Sequence, residues 1–132
     1  MEDRPTLLFG WYNGSREEYS KSIKGKGYSV TSVGTLDEMK ELAEQCEYKI
    51  FIMHSNLGVE GSHGIEGALA IYQIISSRVN NGSAKLYAAS SVFEQSSPPN
   101  LDFLPLNVYS RNFLIMGENE LIEEYINGDK LF

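Results

Sequence analysis

The sequence predicts an α/β fold in which a parallel sheet is covered by helices on both faces. Short apolar runs alternate with amphipathic stretches along the chain. Runs that are apolar at consecutive positions are typical of strands buried on both faces, and their alternation with helices implies right-handed crossovers. No linker or internal repeat divides the 132 residues, so we expect a single domain over residues 1–132.

Five strands are predicted from apolar runs bounded by turn signals. The first is apolar and aromatic, and it ends at Asn13-Gly14. The second alternates and is rich in β-branched residues, which predicts a more exposed strand. The predicted strands are residues 6–12, 28–33, 49–53, 85–89 and 106–109.

Helical signals fill most of the intervals between these strands. Thr35 and Glu38 have the spacing of a capping box, and apolar residues recur behind them with a helical period. The Pro98-Pro99 pair excludes a regular helix through residues 91–105, so the helix between the fourth and fifth strands should be short or irregular. The other helices are predicted at residues 15–23, 36–46, 65–79 and 118–126.

This succession of elements also predicts the strand order. Five βα units in a chain of about 130 residues are typical of the flavodoxin-like, doubly wound sheet with order 2-1-3-4-5. Ligands of such sheets bind outside the carboxyl ends of the central strands. The residues that follow the first, third and fourth strands are therefore the candidates for function.

Charge and composition exclude several classes of partner. Eleven basic and eighteen acidic side chains give a net charge of -7, whereas nucleic acids and anionic membranes attract basic surfaces. Three of the first five residues are charged, and no apolar run approaches the roughly 20 residues that cross a bilayer. The single cysteine, Cys46, cannot form an internal disulfide. We expect a cytoplasmic protein that binds neither nucleic acid nor membrane.

Three stretches resemble the receiver domain of response regulators. Residues 50–57 (IFIMHSNL), with Gly64 beyond, resemble the stretch that ends a strand with the phosphorylated Asp. Residues 88–91 (AASS) resemble the end of the fourth receiver strand, where a Thr or Ser is followed by a small residue. Residues 109–113 (YSRNF) resemble the segment in which Lys-Pro-Phe follows the fifth strand. The resemblance covers nearly the whole chain.

The resemblance implies a phosphorylation site whose acids are missing. Trp11 and Tyr12 stand where receivers have the two acids that hold Mg²⁺, and His54 stands at the phosphorylated Asp. No acidic residue lies within residues 4–16 or 49–58. Because Mg²⁺ takes oxygen ligands, we expect no metal site, no acyl phosphate and no enzymatic activity.

The resemblance also implies that two other positions of the receiver site keep suitable residue types. Ser90 matches the hydroxyl that senses phosphate, and Arg111 matches the conserved Lys, where an Arg still binds anions through two N–H groups. Ser62, in the Gly-rich loop of residues 58–64, is a further candidate for anion binding. A receiver that lacks the acids but keeps this Ser and a base is a pseudo-receiver.

Three functional readings follow from these residues. The first is a pseudo-receiver that binds a protein partner without phosphorylation and without a cofactor. The second is a flavodoxin-like domain that binds a nucleotide or another small anion. The third is an enzyme that uses His54 with Ser55 or Asn56, although no nucleophile–base–acid set is visible. Beside these readings, His54 is also interpreted as a strand-end residue that fills space.

Aromatic residues concentrate in the last two βα units, the face that receivers use for contacts with partners and for dimers. Aromatic side chains are common anchors of protein interfaces, although some of this set must belong to the core. We therefore expect a protein partner or a homodimer on this face. The candidate interface residues are Tyr87, Phe93, Phe103, Tyr109, Phe113 and Tyr125.

Overall fold

Strands and helices alternate along the chain in the computed structural model, which describes residues 6–11, 16–45, 48–54, 57, 66–89 and 113–128. The strands are β1 (Thr6–Gly10), β2 (Ser29–Val33), β3 (Ile50–His54), β4 (Lys85–Ala89) and β5 (Phe113–Met116). The helices are α1 (Arg16–Lys24), α2 (Leu36–Ala43), α3 (Glu66–Asn80) and α4 (Glu118–Glu120). Helix α4 continues directly into a π-helix, Leu121–Ile126, which we call the π segment.

The strands form one parallel sheet in the order β2-β1-β3-β4-β5. The order 2-1-3-4 of the first four strands is as predicted, and it is compatible with a flavodoxin-like fold. The central strands β1, β3 and β4 are buried almost throughout, whereas β2 is mostly exposed or half buried. The runs that are apolar on both faces therefore predicted correctly that β1, β3 and β4 are central strands. The alternating run predicted correctly that β2 is the more exposed strand.

The end of the sheet beyond β4 differs from the prediction in position. The strand expected at residues 106–109 lies outside the described residues. The strand that pairs with β4 runs from Phe113 to Met116, with Leu86 opposite Phe113 and Ala89 opposite Met116. The expectation that Phe113 follows the fifth strand is therefore wrong, since Phe113 is the first residue of β5 and the chain leaves that strand at Gly117.

Side chains alternate between the two faces of the sheet and form two separate cores. The α2/α3 layer contains, among others, Leu8, Phe51, Met53, Leu86 and Ala88 from the sheet, with Met39, Ile71 and Ile75 from the helices. The α1/π layer contains Leu7, Phe9, Ile50, Ile52, Tyr87 and Ala89 from the sheet, with Ile23, Leu121, Tyr125 and Ile126 from the helices.

The α2/α3 layer is closed by local contacts at both ends of α2. At its start, the Thr35 hydroxyl accepts a hydrogen bond from the Glu38 backbone N–H at 3.2 Å and donates one to the Glu38 carboxylate at 3.0 Å. At its end, the Arg78 guanidinium donates to the carbonyls of Ala43 at 2.5 Å and Gln45 at 3.3 Å. Both contacts satisfy backbone groups that a helix terminus leaves without partners. Thr35 is confirmed as the N-cap of α2, but the Glu38 carboxylate accepts from the Thr35 hydroxyl, whereas in a complete capping box it accepts the N-cap backbone N–H.

None of the helices in the described ranges is both long enough and apolar enough to cross a membrane.

Candidate functional site at the mouth of the sheet

The candidate site lies at the carboxyl ends of the central strands, which we call the mouth of the sheet. The parallel register brings Gly10 of β1 opposite Met53 of β3, and His54 opposite Ala89 of β4. Trp11 follows β1 directly and donates its backbone N–H to the Val33 carbonyl at 3.1 Å. Because parallel strands end at the same edge, Trp11, predicted at the end of the first strand, and His54, predicted directly after the third, meet here.

Trp11 and His54 form the side of the mouth that faces the α1/π layer. The Trp11 ring stacks on Phe9 with a centroid distance of 5.4 Å and an interplanar angle of 11°. The His54 ring stands nearly perpendicular to Trp11, at 5.4 Å and 81°. Tyr19 of α1 contacts the same indole at 5.7 Å and 89°. Stacked and edge-to-face rings at these distances are favourable contacts, so the indole is held in place on three sides.

Both rings are removed from solvent. Trp11 is 2% exposed and His54 is 6% exposed. The backbone at this point turns closely, since the His54 carbonyl accepts the Leu57 N–H at 3.0 Å. The His54 imidazole is therefore largely withdrawn from solvent, with the Trp11 ring beside it.

The opposite side of the mouth is filled by apolar side chains. A Cβ atom at Gly10 would lie 2.5 Å from the Met39 sulfur and 2.8 Å from a methyl carbon of Leu57. Both distances are far below van der Waals contact, so the ends of the Met39 and Leu57 side chains would have to move to admit a side chain at this position. Met39 and Leu57 are themselves fully buried. Neither residue was predicted to border the site, although the helical spacing had assigned Met39 to the buried face of α2.

The described part of the mouth contains indole, imidazole, thioether and aliphatic groups and no carboxylate. A divalent ion of the magnesium type needs several oxygen ligands, and an imidazole suits softer metals instead. Within the described ranges, no group of three or more His, Cys, Asp or Glu side chains is arranged to hold a metal ion.

The structure brings together two of the residues predicted for the site. Trp11 and His54 are in ring contact, as their expected positions at neighbouring strand ends require. Ser90 comes directly after Ala89, the residue that pairs with His54, but it lies outside the described residues. Tyr12, Ser62 and Arg111 also lie outside the described residues.

Two residues predicted for a protein interface belong to the core instead. Tyr87 and Tyr125 are 4% and 8% exposed, and their rings pack against each other with centroids 4.9 Å apart. Burial, together with the nearby phenols of Tyr125 and Tyr28, raises the pKa of Tyr87 to about 12. The prediction failed because Tyr87 alternates onto the α1/π face of β4, where the π segment covers it.

Four interface candidates remain besides Tyr87 and Tyr125. Phe93, Phe103 and Tyr109 lie outside the described residues. Phe113 belongs to β5, as given above. Three of the six residues predicted for partner binding therefore lie outside the described part of the chain.

The fold and site together define an α/β domain with a parallel sheet, and the described residues at its mouth carry aromatic and apolar groups. Comparison of the chain with protein-family models, with curated proteins and with solved structures found no match. The function proposed below therefore rests on the residues of this chain and on the resemblance carried by its motifs.

Proposed function

We propose that this protein is a pseudo-receiver, a regulatory domain that acts by binding a protein partner and not by accepting a phosphoryl group. The observation that carries the proposal is the packing of the mouth of the sheet. Trp11, at a position where receivers have a metal-binding acid, is 2% exposed and stacked on Phe9. The mouth thus contributes to the core of the domain.

The residue type at position 54 also supports a function without phosphorylation. Acyl phosphate formation in this fold needs a carboxylate nucleophile and a divalent cation that neutralises the transferred phosphoryl group. His54 supplies an imidazole in place of the carboxylate, and its ring faces Trp11 at 5.4 Å. The domain then acts as a scaffold whose outer surface binds the protein partner.

The test uses Trp11 as an internal reporter, because it is the only tryptophan of the chain. We expect that a small phosphodonor with Mg²⁺, or beryllofluoride with Mg²⁺, changes neither the intact mass nor the emission of Trp11. A competent receiver treated in parallel serves as the positive control. A stoichiometric mass increase of one phosphoryl group would refute the proposal.

Association with a second copy of the chain is tested by the mass of the protein in solution. In its homodimeric form the proposed interface is the face of the last two βα units, for which Phe93, Phe103 and Tyr109 remain the candidate anchors. Light scattering over a range of concentrations should then give the dimer mass, unchanged by phosphodonor. Phe93→Ser and Phe103→Ser should lower that mass towards the monomer, whereas Thr31→Ser on the opposite edge strand should not. A monomer at every concentration rejects the homodimer.

A second candidate function is the binding of a small anion, and one observation favours it. His54 is a polar, ionisable side chain buried at the point where ligands bind in doubly wound sheets. Titration with nucleotides and inorganic phosphate should change the Trp11 emission if an anion approaches the imidazole. Thermal shift provides the second readout, since a ligand at 100 times its Kd adds about 2.7 kcal/mol to stability. No response at millimolar concentrations removes this candidate.

A further inference from the structure

The outer edge of β2 forms one end of the sheet. β2 stands at one end of the strand order and, within the described ranges, it pairs only with β1. The pairing is continuous, from Thr6 opposite Ser29 to Gly10 opposite Val33. The other edge of such a strand offers backbone donors and acceptors to which a further strand can bond.

The hydrogen bonds to β1 show which backbone groups of β2 point outward. The Trp11 N–H donates to the Val33 carbonyl, so the backbone groups of Val33 point towards β1. Because the N–H and C=O groups alternate in direction from one residue to the next along a strand, the groups of Thr31 also point towards β1. Those of Val30 and Ser32 therefore point away from β1, towards any strand that is added there.

The strand carries none of the features that usually discourage pairing at an edge. Those features include charged side chains, proline and β-bulges. Residues 29–33 (SVTSV) contain no charge and no proline, and they pair with β1 residue for residue, without a bulge. Ser29 and Ser32 are exposed, and Val30 and Thr31 are half buried. The β-branched side chains favour the extended backbone that strand addition needs.

Charges of opposite sign lie at the two ends of this edge. Helix α1 packs against β2 and runs in the opposite direction, because it connects the carboxyl end of β1 to the start of β2. Its last turn, with the exposed Lys21 and Lys24, therefore lies at the amino end of β2. The carboxyl end of β2 is acidic, since the first turns of α1 and α2 lie there. These turns carry the exposed residues Glu17, Glu18, Asp37 and Glu38.

The choice of occupant for this edge rests on the proposed function. The proposed homodimer uses the face of the last two βα units, at the other end of the sheet. Self-association through β2 as well would join dimers into open-ended arrays, whereas soluble oligomers mostly have closed symmetry. A segment of a different protein avoids this outcome, and the charges at the two ends favour a segment with a basic and an acidic end.

We propose that the outer edge of β2 binds an extended segment of a protein partner, which joins the sheet as an antiparallel strand. Antiparallel pairing is the more stable of the two per residue. It places the amino end of the segment beside the acids, and the carboxyl end beside Lys21 and Lys24. The segment is therefore basic before its extended core and acidic after it. Backbone hydrogen bonds to Val30 and Ser32 supply affinity, as is general for strand addition.

Two synthetic peptides of the same composition test the orientation. Both are acetylated and amidated, with the sequences KKTVTVTDE and EDTVTVTKK, and their binding is measured by fluorescence anisotropy of a dye on the peptide. We expect the first peptide to bind about tenfold more tightly at low salt, since several exposed charge pairs contribute. The difference should shrink at about 1 M salt through screening. Equal affinities at low salt, or tighter binding of the second peptide, overturn the proposal.

A substitution at Ser32 tests the edge itself. Ser32→Pro removes an outward N–H and leaves the hydrogen bonds between β2 and β1 in place, because proline is tolerated on the free side of an edge strand. It should abolish binding of the first peptide, whereas Ser32→Ala should keep it. Circular dichroism and thermal unfolding verify that both variants fold.

Hydrogen exchange in the unmodified protein provides a readout that needs no variant. The first peptide should slow amide exchange at Val30 and Ser32 more than at Thr31, whose N–H already faces β1. Absence of binding at millimolar peptide, or binding that persists in folded Ser32→Pro, overturns the proposal. A lower mass of Ser32→Pro than of Ser32→Ala without peptide also overturns it, since a second copy would then occupy the edge. The phosphodonor experiment is independent of these measurements, so either proposal can fail alone.

Discussion

The two faces of the sheet are packed by different means. In the α2/α3 layer, aliphatic and thioether side chains make up most of the core beside the rings of Phe51, Tyr48 and Tyr72, and side-chain contacts close both ends of α2. The α1/π layer buries tyrosines, an indole, a histidine and the Ser20 hydroxyl, and its last helix is partly π-wound. Both cores are therefore mainly apolar, but only the second combines an indole, a buried imidazole and a tyrosine, Tyr87, whose pKa is raised.

The largest expected effect is a cavity in the α2/α3 layer. Phe51 is fully buried and lies against Tyr48 at 6.3 Å, with the Arg78 guanidinium 5.9 Å from its ring centroid. Phe51→Ala should lower the free energy of unfolding by ~3–5 kcal/mol in chemical denaturation. Val30→Ala on the edge strand is the control and should cost less than half as much. Equal losses would show that this layer is not the main source of stability.

The next effect concerns the packing around Gly10, on the side of the mouth that faces the α2/α3 layer. Gly10→Ala places a methyl group against Met39 and Leu57 and should cost about 1–3 kcal/mol through overpacking. Combining it with Met39→Val, which removes the sulfur at 2.5 Å, should cost less than the sum of the two single changes. Strict additivity in thermal unfolding would mean that the mouth adapts to the added methyl group.

The α1/π layer should make stability depend on alkaline pH. The pKa of Tyr87 is raised from 10.0 to about 12, so the folded protein holds this proton more tightly than the unfolded chain does. The corresponding stability is fully present below the unfolded value and is lost as the pH rises towards the folded value. At about pH 11 we expect an extra loss of roughly 1 kcal/mol relative to about pH 8.

Tyr87→Phe is the matched variant for this pH dependence. It keeps the ring that packs on Tyr125 and removes the titrating hydroxyl. Urea unfolding at the two pH values should show a smaller alkaline loss in the variant than in the unmodified protein. If the two proteins lose equal stability, another group accounts for the alkaline sensitivity.

The smallest expected effect is a gain in stability. Ser20, on α1, is 5% exposed, and its hydroxyl has no hydrogen-bond partner in the part of the chain that the structure describes. Ser20→Ala removes that polar atom and improves helix propensity, so we expect stability to rise by about 0.5–1 kcal/mol. Ser22→Ala on the same helix, where the side chain is half buried, isolates the propensity part. A loss at Ser20 would reveal a hydrogen bond, for example to water.

Most of the strand and helix pattern was predictable because it is local. Apolar runs placed β1, β3 and β4, the capping box placed the start of α2, and β4 was predicted at its observed bounds. The last helix was predicted as one stretch over residues 118–126, but its division into α4 and the π segment was not. The π segment contacts Lys26 and Tyr87, which lie far from it in the chain, so no local pattern of the last helix contains these partners.

For the candidate site, the sequence by itself determined which chemistry is missing. The absence of acids within residues 4–16 and 49–58 is a property of the sequence, so the chain stretches that carry Trp11 and His54 supply no carboxylate whatever the fold. Only the tertiary structure decided that these two rings meet and are buried, that Met39 and Leu57 close the mouth at Gly10, and that Tyr87 and Tyr125 form core and not surface. Those facts follow from strand register and from which helix covers each face, and residues far apart in the chain set both.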